Sequence, residues 1–104
     1  MTSSSSRQLN GVEDLRSFKI RVPVTALLIL LFSGLGTLPS SIGYSELYSA
    51  LQTHIVEGHE NPLAQVSAGK LHEVRDYCAL SNHCRSGYWI VANRRARWLV
   101  CQPT

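Results

Sequence analysis

Residues 21–45 read RVPVTALLILLFSGLGTLPSSIGYS. The fold turns on whether this run is a membrane segment, a removable leader or a buried helix. Val22 to Ser45 is 24 residues without a formal charge, but the dense apolar part is only Ala26–Phe32. As a helix, Val22–Leu38 would be about 26 Å long at ~1.5 Å per residue, short of a hydrocarbon core of ~30 Å. Leu, Ile and Phe each favour insertion by about 0.3–0.6 kcal/mol near the centre of a span. Ser33, Gly34, Gly36, Thr37 and Pro39 oppose it.

The flank after the apolar core reads as a processing region. Pro39 cannot continue a helix, and Ser41-Ile42-Gly43 places small residues at the −3 and −1 positions that signal peptidase requires. The expected cut falls after Gly43. A leader of that length exceeds the usual ~15–30 residues, and a start at Val12 or Leu15 would bring it into range. Arg7, Arg16, Lys19 and Arg21 precede the core, whereas the 20 residues after it hold only Glu46 and Glu57. The positive-inside rule then sends the C-terminal part outward. The alternative is a retained single-pass anchor, N-terminus inside, contacting the membrane through residues 22–38.

This divides the chain into a basic tail (1–21), a signal peptide or signal-anchor (22–43) and a small exported domain (44–104). The net charge of +3 lies mostly in the tail, since residues 44–104 carry six basic side chains against five acidic ones. Such a balance argues against a nucleic-acid partner. A domain of about 60 residues buries only about 60% of its unfolded surface and needs a staple or a partner.

Within the exported part, Tyr44, Leu47, Tyr48, Leu51 and Ile55 share one helical face, predicting a helix over about 45–57. Asn61-Pro62 opens a second, over about 62–80, weakened at Gly69. "YWIVA" and "RWLVC" bracket "NRRA" and predict a β-hairpin over about 88–101. A third helix is the competing reading of that stretch. The expected fold class is therefore α+β: two helices packed on a C-terminal hairpin, behind an N-terminal hydrophobic leader.

Cys78, Cys84 and Cys101 fall on the exported side, where disulfides persist. Cys84–Cys101 would tie the hairpin ends and Cys78–Cys84 is the competing pair; either leaves an odd thiol, buried or joining two chains as a covalent dimer. His72, Cys78, His83 and Cys84 lack the paired spacing of a zinc site. In "HIVEGHE", His54 and His59 are five apart with Gly58 between them, which breaks the placement a catalytic zinc helix needs. No nucleophile elbow, phosphate loop, dinucleotide fingerprint or haem motif occurs. No catalytic, cofactor-binding or metal residue is assigned, no cofactor is expected, and the chain reads as a non-enzyme.

Arg94, Arg95, Arg97 and Trp98 form the most distinctive surface feature. Outside a membrane they suit anionic lipid or an acidic protein face; the plain alternative is a solvated hairpin tip. The sequence thus leads to a small secreted or periplasmic, disulfide-containing binding, inhibitory or accessory protein with an unknown protein partner. The alternative is a small single-pass subunit of a larger membrane complex.

Overall fold

The computed structural model describes residues 2–5, 7–85, 87–91 and 93, with only the backbone for 2–5. Five strands form one sheet in the order β3-β2-β4-β1-β5: β1 Thr2–Ser5, β2 Lys19–Val22, β3 Leu38–Ser41, β4 Gly58–Asn61 and β5 Tyr77–Leu80. Strand β2 is parallel to both β3 and β4. Strand β1 is antiparallel to β4 and to β5, so β5 runs the same way as β4. Helices α1 (Ala26–Gly34), α2 (Tyr44–Gln52) and α3 (Leu63–Ala68) fill the crossovers, with one-turn 3-10 helices at Val12–Leu15 and Leu71–Val74.

The alternation of "KIRV" builds this sheet. In a strand, successive side chains point to opposite faces. Ile20 and Val22 pack with Phe18, Leu28 and Phe32 in a core beneath α1. A second core joins Leu47, Ala50, Leu51, Val56, Val66 and Leu71, with Ile42 and Val74 against it, beneath α2 and α3. Phe18, Ile20, Leu47 and Leu51 are fully enclosed. Burying each such side chain is worth about 1.5–3 kcal/mol, so both cores are required to hold a fold this small.

The architecture is α/β rather than α+β, and the hydrophobic run is part of it. "ALLILLFSG" is the nine-residue helix α1, about 13.5 Å long at ~1.5 Å per residue. Its apolar character serves a sheet face instead of a bilayer: Leu28 and Phe32, one turn apart, are buried. No helix among the described residues is long and apolar enough to cross a membrane. Gly36, at φ 80°, adopts the left-handed turn that glycine permits and reverses the chain into β3. Pro39 lies in that strand opposite Ile20. It is tolerated there because β3 is at the sheet edge, where a missing N–H faces no neighbour.

Downstream, α2 stops at Gln52, and His54 takes a left-handed conformation (φ 58°). Gly58–Asn61 then enters the sheet with all four residues buried. The long second helix resolves into α3, a break at Gly69, the 3-10 turn and strand β5. The C-terminal hairpin is overturned: Tyr88–Val91 form no strand, and the rest of "NRRARWLVC" lies outside the described residues. Local propensity there was strong, but the parallel sheet is already supplied by β2, β3 and β4.

Candidate functional site: the switch point between β2 and β4

From β2 the chain crosses through α1 to β3 on one side, then returns through α2 to β4 on the other. The carboxyl ends of β2 and β4 therefore flank the point where the winding reverses, the place where open α/β sheets bind ligands. A cavity of about 280 Å3 opens there, lined by Pro23, Thr25 and Leu28 after β2 and by Glu60, Asn61, Pro62 and Gln65 after β4, with Gly87 and Tyr88 beside them.

Two polar groups sit on opposite faces of the sheet at this end. On the α2 side, Arg21 is 3% exposed. Its Nε donates to Ile42 O at 2.8 Å and its Nη1 to Asn61 Oδ1 at 3.2 Å. Asn61 Nδ2 is 3.0 Å from His59 Nδ1. The register places Arg21 directly opposite His59, so Arg21, His59 and Asn61 share one face. Burial, then the charges of Arg21 and Arg75, lower the His59 pKa to about 4. Burial also lowers the Arg21 pKa, an effect that Glu60 and Tyr44 oppose.

On the α1 side, Glu60 is fully enclosed, and neither carboxylate oxygen has a hydrogen bond among the described residues. His83 Nε2 lies 3.7 Å from Glu60 Oε1. The His83 ring meets Phe32 edge-on at 5.2 Å. Burial raises the Glu60 pKa against the pull of Arg21 and lowers that of His83. Around the cavity, Gln65 Nε2 donates to Tyr88 Oη at 3.0 Å, and Tyr44 Oη donates to Gln65 O at 2.8 Å. The N-terminus of α1 has no side-chain cap.

A description of the family DctP, bacterial extracellular solute-binding protein, family 7, matches residues 1–98. The chain belongs to this family. It is 37% identical to the sialic acid-binding periplasmic protein SiaP of Vibrio cholerae, over 78% of this chain and 25% of that protein. It is 33% identical to the C4-dicarboxylate-binding periplasmic protein DctP of Rhodobacter capsulatus, over 88% of this chain and 28% of that one. Among solved structures, a TRAP periplasmic solute-binding protein of Haemophilus influenzae with bound L-gulonate superposes with a TM-score of 0.76 at 30% identity, covering 79% of this chain and 27% of that one. The sugar acid binding protein of Advenella mimigardefordensis in complex with galactonate gives 0.73 at 32%, over 76% and 26%. The chain thus spans about a quarter of the length of these relatives.

Membership in the DctP family overturns the reading as a disulfide-containing inhibitory or accessory factor, and with it the single-pass subunit. The family is one of solute-binding proteins rather than enzymes, and it is extracytoplasmic, the location expected from the charge pattern. The disulfide expectation is also corrected: Cys78 and Cys84 are free thiols. Cys78 lies on β5, the last strand of the sheet, whereas Cys84 follows it in the next connection. Cys101, like Arg94, Arg95, Arg97 and Trp98, lies outside the described residues. Gly43 stands at the N-terminal boundary of α2. No group of three metal-ligating side chains occurs among the described residues.

Sequence reasoning assigned none of the site residues. Arg21 stands in the sequence as the positive flank of a leader, and His59 as half of a His54/His59 spacing that a zinc helix cannot use. The available signal was a charge inside the alternating strand "KIRV" and the polar tripeptide His59-Glu60-Asn61 before Pro62.

Proposed function

We propose that this chain forms one wall of the solute site of a periplasmic TRAP-type binding protein, and that this wall holds the carboxylate of a small organic acid. The observation that carries the reading is Arg21, buried at the carboxyl end of a parallel strand with Nε and Nη1 engaged and Nη2 making no hydrogen bond among the described residues. The guanidinium fork matches a carboxylate edge, and its two existing bonds fix the plane in which it presents itself. Removal from water strengthens its attraction for an anion. The start of α1, which has no side-chain cap, follows β2 at the same end of the sheet.

The relatives support the same chemistry. Their names give L-gulonate, galactonate, C4-dicarboxylates and sialic acid as ligands, and each carries a carboxylate. Because this chain matches about a quarter of those proteins, it is assigned one wall of such a site. On the same ground its macromolecular partner is the membrane part of a TRAP transporter.

An amide NMR titration of the chain tests this. Galactonate should shift the amides of Arg21, Thr25 and Asn61, whereas galactitol, which lacks the carboxylate, should leave them in place. Arg21→Met should abolish the response. A variant titrating like the unaltered chain would sink the assignment.

A further inference from the structure

Trp89, Ile90 and Val91 take no part in the crevice. Tyr88, just before them, is tied to its own copy through Gln65 Nε2 at 3.0 Å, whereas these three side chains are each 88% exposed or more. Scattered apolar side chains on a surface are ordinary, but a contiguous run of large ones marks an interaction site. A complementary surface lies beside α1, between the first 3-10 turn and the end of β5, as a cavity of about 280 Å3. Leu9, Val12, Leu15, Phe32 and Leu80 line it. Leu9 and Leu15 pack against the core beneath α1, while Val12 and Leu80 stay exposed. This cavity and the crevice between β2 and β4 share no lining residue. In its own chain Trp89 does not fill the cavity, since it stands 90% exposed.

We propose that Trp89 of one copy fills this cavity in a second copy, and that reciprocal exchange of Trp89–Val91 forms a two-fold dimer. The dimer is independent of the carboxylate reading. An apolar cavity suits an aromatic anchor, the side-chain type that dominates interfaces. A buried indole N–H needs an acceptor, and Asn10 in the cavity wall carries one. A copy presents both the segment and the cavity, so a two-fold axis fills both at once and closes the assembly. With Trp89, Ile90 and Val91 covered, and Val12 and Leu80 beneath them, each copy gives up roughly 600–700 Å2, close to the ~800 Å2 per partner of a stable interface. Charge favours the same pairing. Arg94, Arg95 and Arg97 follow the segment in sequence, and Glu13 and Asp14 lie on the turn whose Val12 and Leu15 line the cavity. Arg7, bonded to that turn, is committed to Asp14 O and to the Phe18 ring. Arg16, which ends the turn, opposes the two acids only in part.

Light scattering across a dilution series tests this, in reductant so that no cysteine joins two chains. The 104-residue chain should pass from a monomeric to a dimeric mass as its concentration rises. A chain still monomeric at about 100 μM, or one that grows beyond two copies, overturns the inference. Trp89→Ser should weaken the dimer at least about tenfold, and Val12→Glu should do the same from the cavity side. Both positions are exposed, so circular dichroism of the variants should match that of the unaltered chain. The dilution series and Trp89→Ser decide by themselves should Val12→Glu fail to fold. A Trp89→Ser chain that dimerises as before sinks the proposal. The two variants retain opposite halves of the contact. In NMR, unlabelled Val12→Glu added to labelled Trp89→Ser should therefore shift the amides of Leu9, Leu15 and Leu80, around the cavity that the labelled chain keeps. Shifts elsewhere, or none, would show that the segment does not dock in that cavity.

Discussion

Arg21 Nη1 donates to Asn61 Oδ1 at 3.2 Å, joining the carboxyl ends of β2 and β4 across 40 residues of sequence. Neither end of that bond is free to rotate. Arg21 is held from behind by Ile42 O, and Asn61 by His59. Replacing Asn61 with Ala leaves one guanidinium bond unmade in a buried site. A lost hydrogen bond to a charged group costs about 1.5–3 kcal/mol. Asn61→Ala should therefore lower stability by about 2 kcal/mol in urea unfolding, with an unchanged m-value. It should also weaken carboxylate binding by releasing the guanidinium plane. A stability loss without any loss of binding would show that the bond serves the fold alone.

His59 makes the fold sensitive to acid. Its pKa falls to about 4 in the folded chain, first through burial and then through Arg21 and Arg75, against ~6.5 unfolded. Between these values the unfolded chain binds the extra proton. Stability is therefore fully present above about pH 6.5 and is lost as pH falls toward 4. The loss amounts to about 3 kcal/mol at most. His83, also lowered, adds to it; Glu60, raised, works against it. His59→Gln should flatten the stability profile across this window, leaving the smaller slope of His83. A profile as steep as that of the unaltered chain would exclude His59 as the source.

The two helix-end glycines should respond oppositely to alanine. A Cβ on Gly69 would strike Tyr44 Oη and approach Gln65 O to 3.2 Å. The methyl would displace the hydroxyl that donates to Gln65 O. A Cβ on Gly34, in α1, meets nothing within 4 Å. Gly69→Ala should cost about 1–3 kcal/mol through overpacking, whereas Gly34→Ala should add up to about 1 kcal/mol from helix propensity. Thermal unfolding of the two variants checks both signs.

The sequence carried the elements better than their assembly. Periodicity through Tyr44, Leu47 and Leu51 predicts a helix over about 45–57, where α2 spans Tyr44–Gln52, and the helix predicted over about 62–80 is weakened at Gly69, the residue that follows α3. The strands were invisible for distinct reasons. "LPSS" contains proline and two serines, and only its edge position makes it a strand. "GHEN" is polar throughout, and its burial comes from pairing with β2 and β1. Strand "KIRV" alternates correctly, but its arginine was absorbed into a charge count. The site is built from the polar residues of these strands, so it disappeared with them. Only the non-local pairing of residues 20–21 with 58–59 converts a cationic flank and a histidine run into neighbours.

The apolar run itself offers the sharpest test of α1 as a core helix. Its two sides differ although its composition does not: Leu27 and Leu30 are 70% and 71% exposed, while Leu28 and Phe32 are 9% and 3%. A membrane span or a signal peptide needs overall hydrophobicity and would suffer equally from a charge at any of these positions, each costing ~2.5–3.5 kcal/mol near the centre of a span. A sheet-packed helix distinguishes them. Leu27→Lys and Leu30→Lys should change stability by no more than about 0.5 kcal/mol, as exposed substitutions do. Leu28→Ala should cost about 2–5 kcal/mol and Phe32→Ala about 3–5 kcal/mol, enough to unfold a chain of this size. Circular dichroism of the four variants at rising urea would separate the pairs. Equal loss at all four positions would return the run to the membrane.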